Sequence, residues 1–268
     1  MTKSHLNQAA YAVSKDGTRI AYDTIGQGPA VILAGGAFSY RKFPGLQKLA
    51  RLLASDFTVV NYDRRGRGDS GDQKTYAIQR EIEDLEAVIG AHGGVAHVWG
   101  LSSGAALALA AAASGVGIAK LALYEPPYLA GGTGPVSPAE QRSQLERLIS
   151  EGRRDEAVKY FLRLMGAPGF AVTMMRLMPF WPRLRAVAHT LPYDAAIMGD
   201  YSLPAARLAS IGSPVLAVGG AKSPAALREA VRQVGLAVPH GESRLLPGQN
   251  HNVSMDALAP VLKSFFLA

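Results

Sequence analysis

Short apolar runs recur along the chain at intervals that suit a sheet: AVILAGG from Ala30, FTVVNYD from Phe57, VAHVWG from Val95, KLALYEPP from Lys120 and PVLAVGG from Pro214. Each is too short for a helix and lacks the polar alternation of a half-exposed strand, so it reads as a strand covered on both faces. Between them lie segments with helical spacing. FPGLQKLARLLAS is one, and YAIQREIEDLEAVIGAHGG is a stronger one, with Ile78, Ile82, Leu85 and Ile89 on one face and glycines at its end. Such alternation predicts an α/β fold: a mostly parallel central sheet flanked by helices and joined by right-handed crossovers. At the start, AYAV and RIAYDTI flank SKDGT, whose Asp16 and Gly17 suit a tight turn, which predicts an antiparallel hairpin.

The alternation stops after Pro126. SPAEQRSQLERLISEG, DEAVKYFLRLMG and GFAVTMMRLM read as helices, punctuated by PFWP and LPYD, and no strand is expected before about Arg207. Strands and helices then resume with PVLAVGG, SPAALREAVRQV, SRLLPG and ALAPVLKSFFLA. The expected organisation is a core from 1–126, a helical insert over 127–207 and the remainder of the same core over 208–268. A chain of 268 residues that is 48% hydrophobic and 18% charged can bury one large core.

Composition narrows function mainly by exclusion. There is no cysteine, so disulfides and thiolate metal sites are ruled out. The net charge of +7 is spread along the chain without a dense basic tract or interleaved aromatics, so no nucleic-acid partner is expected. The opening MTKSHLNQAAYAVSKDG lacks the apolar core of a signal peptide, and GAALALAAAASGVGIA is too short and alanine-rich to cross a bilayer. A cytoplasmic protein without membrane attachment is therefore expected, and the alanine-rich run is read as a buried helix.

The chemistry is signalled by HVWGLSSGAAL, where a strand gives way to that helix. Gly100-Leu101-Ser102-Ser103-Gly104 is a Gly-x-Ser-x-Gly pentapeptide, whose middle residue is forced into strained backbone angles and projects its hydroxyl above the sheet. Centring the motif on Ser103 would place bulky Leu101 where a small residue is needed, so Ser102 is the candidate nucleophile. A serine hydroxyl needs a base. Of six histidines, His5 is near the amino terminus, His92 at a helix end, His97 in a strand, His189 in the insert and His240 before the last strand. Only His251 follows that strand.

On these residues the chain resembles the α/β-hydrolase fold superfamily over nearly its whole length. GLSSG is similar to the superfamily's nucleophile elbow, and YDRRGRGDS to its Asp-x-Arg-Gly-x-Gly-x-Ser loop, matched by Asp63, Arg65, Gly66, Gly68 and Ser70. That likeness implies a structural role for the basic cluster. It also implies that the insert is a cap, and that AGGAF is the oxyanion loop, with Gly35 where histidine is usual and Gly36 matching the glycine. The backbone amides of Ala37 and Ser103 would then hold the oxyanion, and LPGQNHN would carry the catalytic His251.

The resemblance fails at one point. The superfamily most often places its acid after the strand matched by PVLAVGG, but the following AKSPAALRE has Ser223 near that position and no carboxylate before Glu229. Glu125, after KLALYEPP, is the best replacement, as in haloalkane dehalogenases and some lipases. Asp200, Asp194 and Asp256 remain alternatives, as does a Ser-His dyad. In the insert, MMRLMPFWP supplies Met174, Met178 and Trp181, which are candidate substrate-binding residues or, equally, packing residues, and Phe38 beside the oxyanion loop is a further substrate-binding candidate.

The expected function is a serine hydrolase acting on a small or medium apolar ester or lactone through an acyl-enzyme on Ser102. No cofactor or metal is implied. A serine centre disfavours epoxide hydrolysis and dehalogenation, whereas carbon–carbon bond hydrolysis and perhydrolysis stay open. The rival class is a ligand-binding homologue without turnover, favoured by the missing acid after PVLAVGG.

Overall fold

A computed structural model describes residues 9–129 and 136–268. The expected hairpin is formed by β1 (Ala10–Val13) and β2 (Arg19–Ile25), paired antiparallel. The apolar runs become β3 (Ala30–Ala34), β4 (Thr58–Tyr62), β5 (Ala96–Leu101), β6 (Ile118–Tyr124) and β7 (Val215–Gly220), and SRLLPG contributes to β8 (Gly241–Leu246). They form one eight-stranded sheet in the order β1-β2-β4-β3-β5-β6-β7-β8. From β4 to β8 every neighbouring pair is parallel, whereas β2 joins β4 antiparallel.

Both faces of the sheet are covered, as the continuous apolar runs require. Along β3, Ile32 and Ala34 face one core while Val31 and Leu33 face the other, the two-residue period of a strand. The first core is closed by α2 (Ile78–Gly90), α3 (Ser103–Ala113) and α10 (Ala225–Ala237); the second by α1 (Pro44–Leu53) and α11 (Met255–Leu267). Helix α3 is the alanine-rich run, and Ala105 through Leu109 are all buried. Its small side chains let it sit tightly on the sheet, which brings the turn between β5 and α3 close to β3 and β6. No described helix is long and apolar enough to cross a membrane.

Among the described residues, the segment between β6 and β7 contains α4 (Pro138–Ser150), α5 (Arg154–Leu164), α6 (Gly169–Met175), α7 (Trp181–Val187), α8 (Leu191–Met198) and α9 (Ala205–Leu208), and no strand. Helix α4 opens with a reciprocal capping box between Ser137 and Glu140. PFWP and LPYD do not simply punctuate the insert. Pro182 and Pro192 lie in the first turns of α7 and α8, where a missing N–H costs no helical hydrogen bond. The insert has its own apolar cluster, built on Leu145, Leu148, Val158, Val172, Trp181 and Leu191, and Ala37 and Phe38 of the loop after β3 pack against it.

Candidate active site

Ser102 occupies the turn between β5 and α3 at φ 54° and ψ −122°. This conformation is uncommon for a residue with a side chain and persists only where the surroundings enforce it. Here the flanking glycines make room for it. A Cβ on Gly100 would lie 2.6 Å from the Ala105 Cα, and one on Gly104 would collide with the Ala34 carbonyl oxygen. Four non-glycine residues have positive φ among the described residues, and three of them, Phe38, Ser102 and Glu125, cluster at this end of the sheet.

Hydrogen bonds to neighbouring strand ends complete the frame. The Ser102 amide donates to the Tyr124 carbonyl at 2.9 Å, and the Glu125 amide donates to the Val218 carbonyl at 2.9 Å, so β5, β6 and β7 hold their carboxyl ends in step. The histidine loop is tied to the same strands: the Tyr124 hydroxyl donates to the Asn250 carbonyl at 2.7 Å, and the Lys222 amide to the Gln249 carbonyl at 2.8 Å.

Glu125 and His251 meet across that frame. His251 Nδ1 lies 2.7 Å from Glu125 Oε2. The Glu125 carboxylate is fully buried, and its other oxygen accepts from the Gly220 amide at 2.7 Å and from the Ser223 hydroxyl. Burial alone would raise this carboxyl; the bonds from His251, Ser223 and Gly220 outweigh it and hold the group below the ordinary glutamate value. An ionised Glu125 keeps the proton of His251 on Nδ1 and leaves Nε2 as an acceptor. His251 itself is 45% exposed and reaches solvent. Ser223, which stands near the position where the resemblance expects an acid, thus donates to the carboxylate supplied by the neighbouring strand.

The other candidate acids have different partners. Asp200 accepts from the amide and hydroxyl of Ser202, and Asp256 pairs with Lys48. Asp194 is buried against Arg64 and Arg67. Among the other histidines, His92 bonds the Val88 carbonyl, His97 stacks on Phe266, and His189 lies 3.9 Å from Asp72. His5 lies outside the described residues.

The glycine loop after β3 passes directly beside Ser102. A Cβ on Gly36 would stand 2.8 Å from the Leu101 carbonyl oxygen and 3.1 Å from the Ser102 Cβ, so only glycine lets Ala37 approach the elbow this closely. Phe38 follows, edge-on to Phe161 at 5.4 Å. Met174 and Met178 are exposed on the insert. Trp181 is 4% exposed within the insert's own cluster and donates its indole N–H to Asp155 at 2.6 Å, a packing position.

The basic cluster is neutralised internally. Arg65 pairs with Asp84 and Asp16, and Arg64 with Glu81 and Asp194. The Asp63 carboxylate accepts the amides of Arg41 and Asp69, while the Ser70 hydroxyl donates to the Asp63 carbonyl at 2.6 Å. These guanidiniums face no solvent, so they present no surface to a polyanion. Among the described residues, no group of three or more His, Cys, Asp or Glu side chains is arranged to hold a metal ion.

Comparison with known proteins agrees with this architecture. No curated protein matches the chain. An alpha/beta hydrolase from Sphaerobacter thermophilus is similar at 49% identity and a TM-score of 0.89, with 96% of this chain and 100% of that one covered. A thermophilic esterase from Thermogutta terrifontis shares the fold at 20% identity and a TM-score of 0.75, covering 97% of this chain and 98% of its own. The enol-lactonase from Burkholderia xenovorans LB400 does so at 20% and 0.73, covering 97% and 100%. The sequence model of the alpha/beta hydrolase family matches residues 30–263, an interval that runs from β3 through the elbow, the insert and the histidine loop into α11. The chain belongs to the alpha/beta hydrolase family.

Proposed function

We propose that the protein cleaves small or medium apolar carboxylic esters, or lactones, through an acyl-enzyme on Ser102. The observation that carries this reading is the 2.7 Å contact between His251 Nδ1 and the buried Glu125 carboxylate, at the strand ends that also hold the Ser102 elbow. His251 Nε2 takes the Ser102 proton as Oγ attacks the carbonyl carbon. The negative charge that develops on the carbonyl oxygen is held by the amides of Ala37 and Ser103, the latter in the first turn of α3. His251 then passes its proton to the leaving alkoxide. Water, deprotonated by the same nitrogen, attacks the acyl-enzyme and releases the carboxylic acid, which regenerates Ser102.

The insert, residues 127–207, acts as a cap. It rests on Ala37 and Phe38, so the apolar ring of Phe38 sits between the oxyanion loop and the insert, where an acyl chain would lie. Met174 and Met178 are flexible apolar groups suited to the outer part of that path. The esterase and enol-lactonase neighbours make esters and lactones the substrate classes to test first. The strongest argument for a binding protein without turnover, the absent acid after β7, loses its force because Glu125 and Ser223 together occupy that corner.

The test is a series of p-nitrophenyl esters of graded chain length together with simple lactones. Saponification that rises from acetate to butyrate or hexanoate is expected. Preference for short polar acyl groups would contradict the apolar acyl path, and no turnover of any ester or lactone would contradict the reaction.

A further inference from the structure

One buried cluster is not used by the reaction as written, yet it touches both sides of the oxyanion loop. Asp194, on α8 of the insert, is 2% exposed. Its Oδ1 accepts from the Ser103 hydroxyl at 2.7 Å and from Arg64 Nη1 at 2.8 Å. Its Oδ2 accepts from Arg67 Nη2 at 2.7 Å. Arg67 continues inward: Nη1 donates to the Gly36 carbonyl at 2.6 Å, and Nε donates to the Thr190 hydroxyl at 3.0 Å. Arg64 also carries a bidentate bond to Glu81, at 2.6 and 2.7 Å.

The Gly36 carbonyl and the Ala37 N–H belong to one planar peptide unit. In a trans peptide the two groups point in opposite directions, so a guanidinium fixed on the oxygen fixes the direction of the N–H and strengthens it as a donor. Ser103 is the other proposed donor. Its side chain is tied to Asp194, so the rotation of the first turn of α3 is tied to the same carboxylate. Burial alone would raise the Asp194 carboxyl, but Arg67, Arg64 and the Ser103 hydroxyl hold it below the ordinary aspartate value, so the clamp is ionic at neutral pH.

We propose that Arg67 and Asp194 are positioning residues for the oxyanion hole, and that the insert thereby sets the alignment of the Ala37 and Ser103 amides. The inference rests on the acyl-enzyme reading above. Asp194 and Thr190 come from the insert, Gly36 and Ser103 from the core, and Arg67 bridges the two. An insert displaced by a poorly fitting ligand would loosen the donors, which links substrate fit to transition-state stabilisation.

The test compares Arg67→Gln, Arg67→Lys, Asp194→Asn and Ser103→Ala with wild type on p-nitrophenyl butyrate, with inhibition by an alkyl trifluoromethyl ketone, whose serine adduct carries the oxyanion. Arg67→Gln and Asp194→Asn should lower kcat on the order of 10- to 100-fold while KM moves by less than about threefold, because the donors act only on the developing charge. Inhibition should weaken by the same factor as kcat/KM. Arg67→Lys, which keeps a cationic donor, should recover part of the loss. Ser103→Ala removes the one bond that the carboxylate takes from a neutral donor and keeps the backbone amide; it should cost roughly three- to tenfold in kcat, and it decides the matter if the charge variants do not fold. Folded variants with unchanged kcat, or with kcat lowered while inhibition is unaltered, would overturn the clamp and leave the reaction intact. A wild type that neither turns over the ester nor binds the ketone would overturn both.

Discussion

Two buried carboxylates stand on either side of the Ser102 elbow, and their partners differ in kind. Glu125, on the β6 side, meets one titratable imidazole and two neutral donors. Asp194, which reaches the β3 side from the insert, meets two cationic guanidiniums, together with the Ser103 hydroxyl. A carboxylate can orient an imidazole and answer its change of charge only if its own charge is not already spent. Glu125 satisfies that condition, and Asp194 does not. In the proposed reaction, the difference puts a moving proton on one side of Ser102 and a fixed scaffold on the other.

Neutralising each acid in turn separates the two sides by their rates. Glu125→Gln should lower kcat by about 10³- to 10⁴-fold, since an amide cannot hold the His251 tautomer. Asp194→Asn should cost at least ten times less on p-nitrophenyl butyrate. Equal losses would erase the distinction. A second variant sharpens it: adding Ser223→Asp to Glu125→Gln places a carboxylate beside the same corner. It should restore turnover by roughly tenfold if His251 needs only a nearby negative charge to orient it. No recovery would mean that the geometry of β6 is itself required.

A smaller effect comes from Ser223→Ala, which removes one donor to Glu125. A loss of about three- to tenfold in kcat is expected from steady-state rates, with little change in KM. The pH dependence of stability is the next test. Both carboxyls are held below their ordinary values when folded, so near pH 4 these two groups bind more protons in the unfolded chain than in the native one. Their stabilisation is full above the ordinary carboxyl range and lost as pH falls through the lowered native values. Urea midpoints should therefore fall between about pH 5 and pH 3, and less steeply in Asp194→Asn than in wild type. Least affected should be Trp181→Phe, which gives up the Asp155 bond at a cost of about 1 kcal/mol in thermal stability and leaves ester turnover nearly unchanged.

How much of this was legible in the sequence varies with the range of the interaction. The strands and helices of the core follow from local periodicity, and Ile82, Leu85 and Ile89 of α2 are buried as their spacing predicts. Helices α7 and α8 were not, because a proline that opens a helix reads like one that ends it. Ser102, Glu125 and His251 are marked by their places at strand ends. The pairing of Arg67 with Thr190 and Asp194 spans 123 and 127 residues, and no local pattern announces it. Acidic residues on the buried face of α2 are a partial signal: Glu81 and Asp84 interrupt an apolar stripe, which makes sense only if buried cations meet them.

Covalent labelling reads an activated hydroxyl at Ser102 directly. Intact protein treated with a fluorophosphonate should gain the mass of one phosphonyl group, mapped to the Ser102 peptide, and the adduct should be absent in Ser102→Ala. Labelling of wild type that stays negligible, or that persists unchanged in Ser102→Ala, would contradict the account.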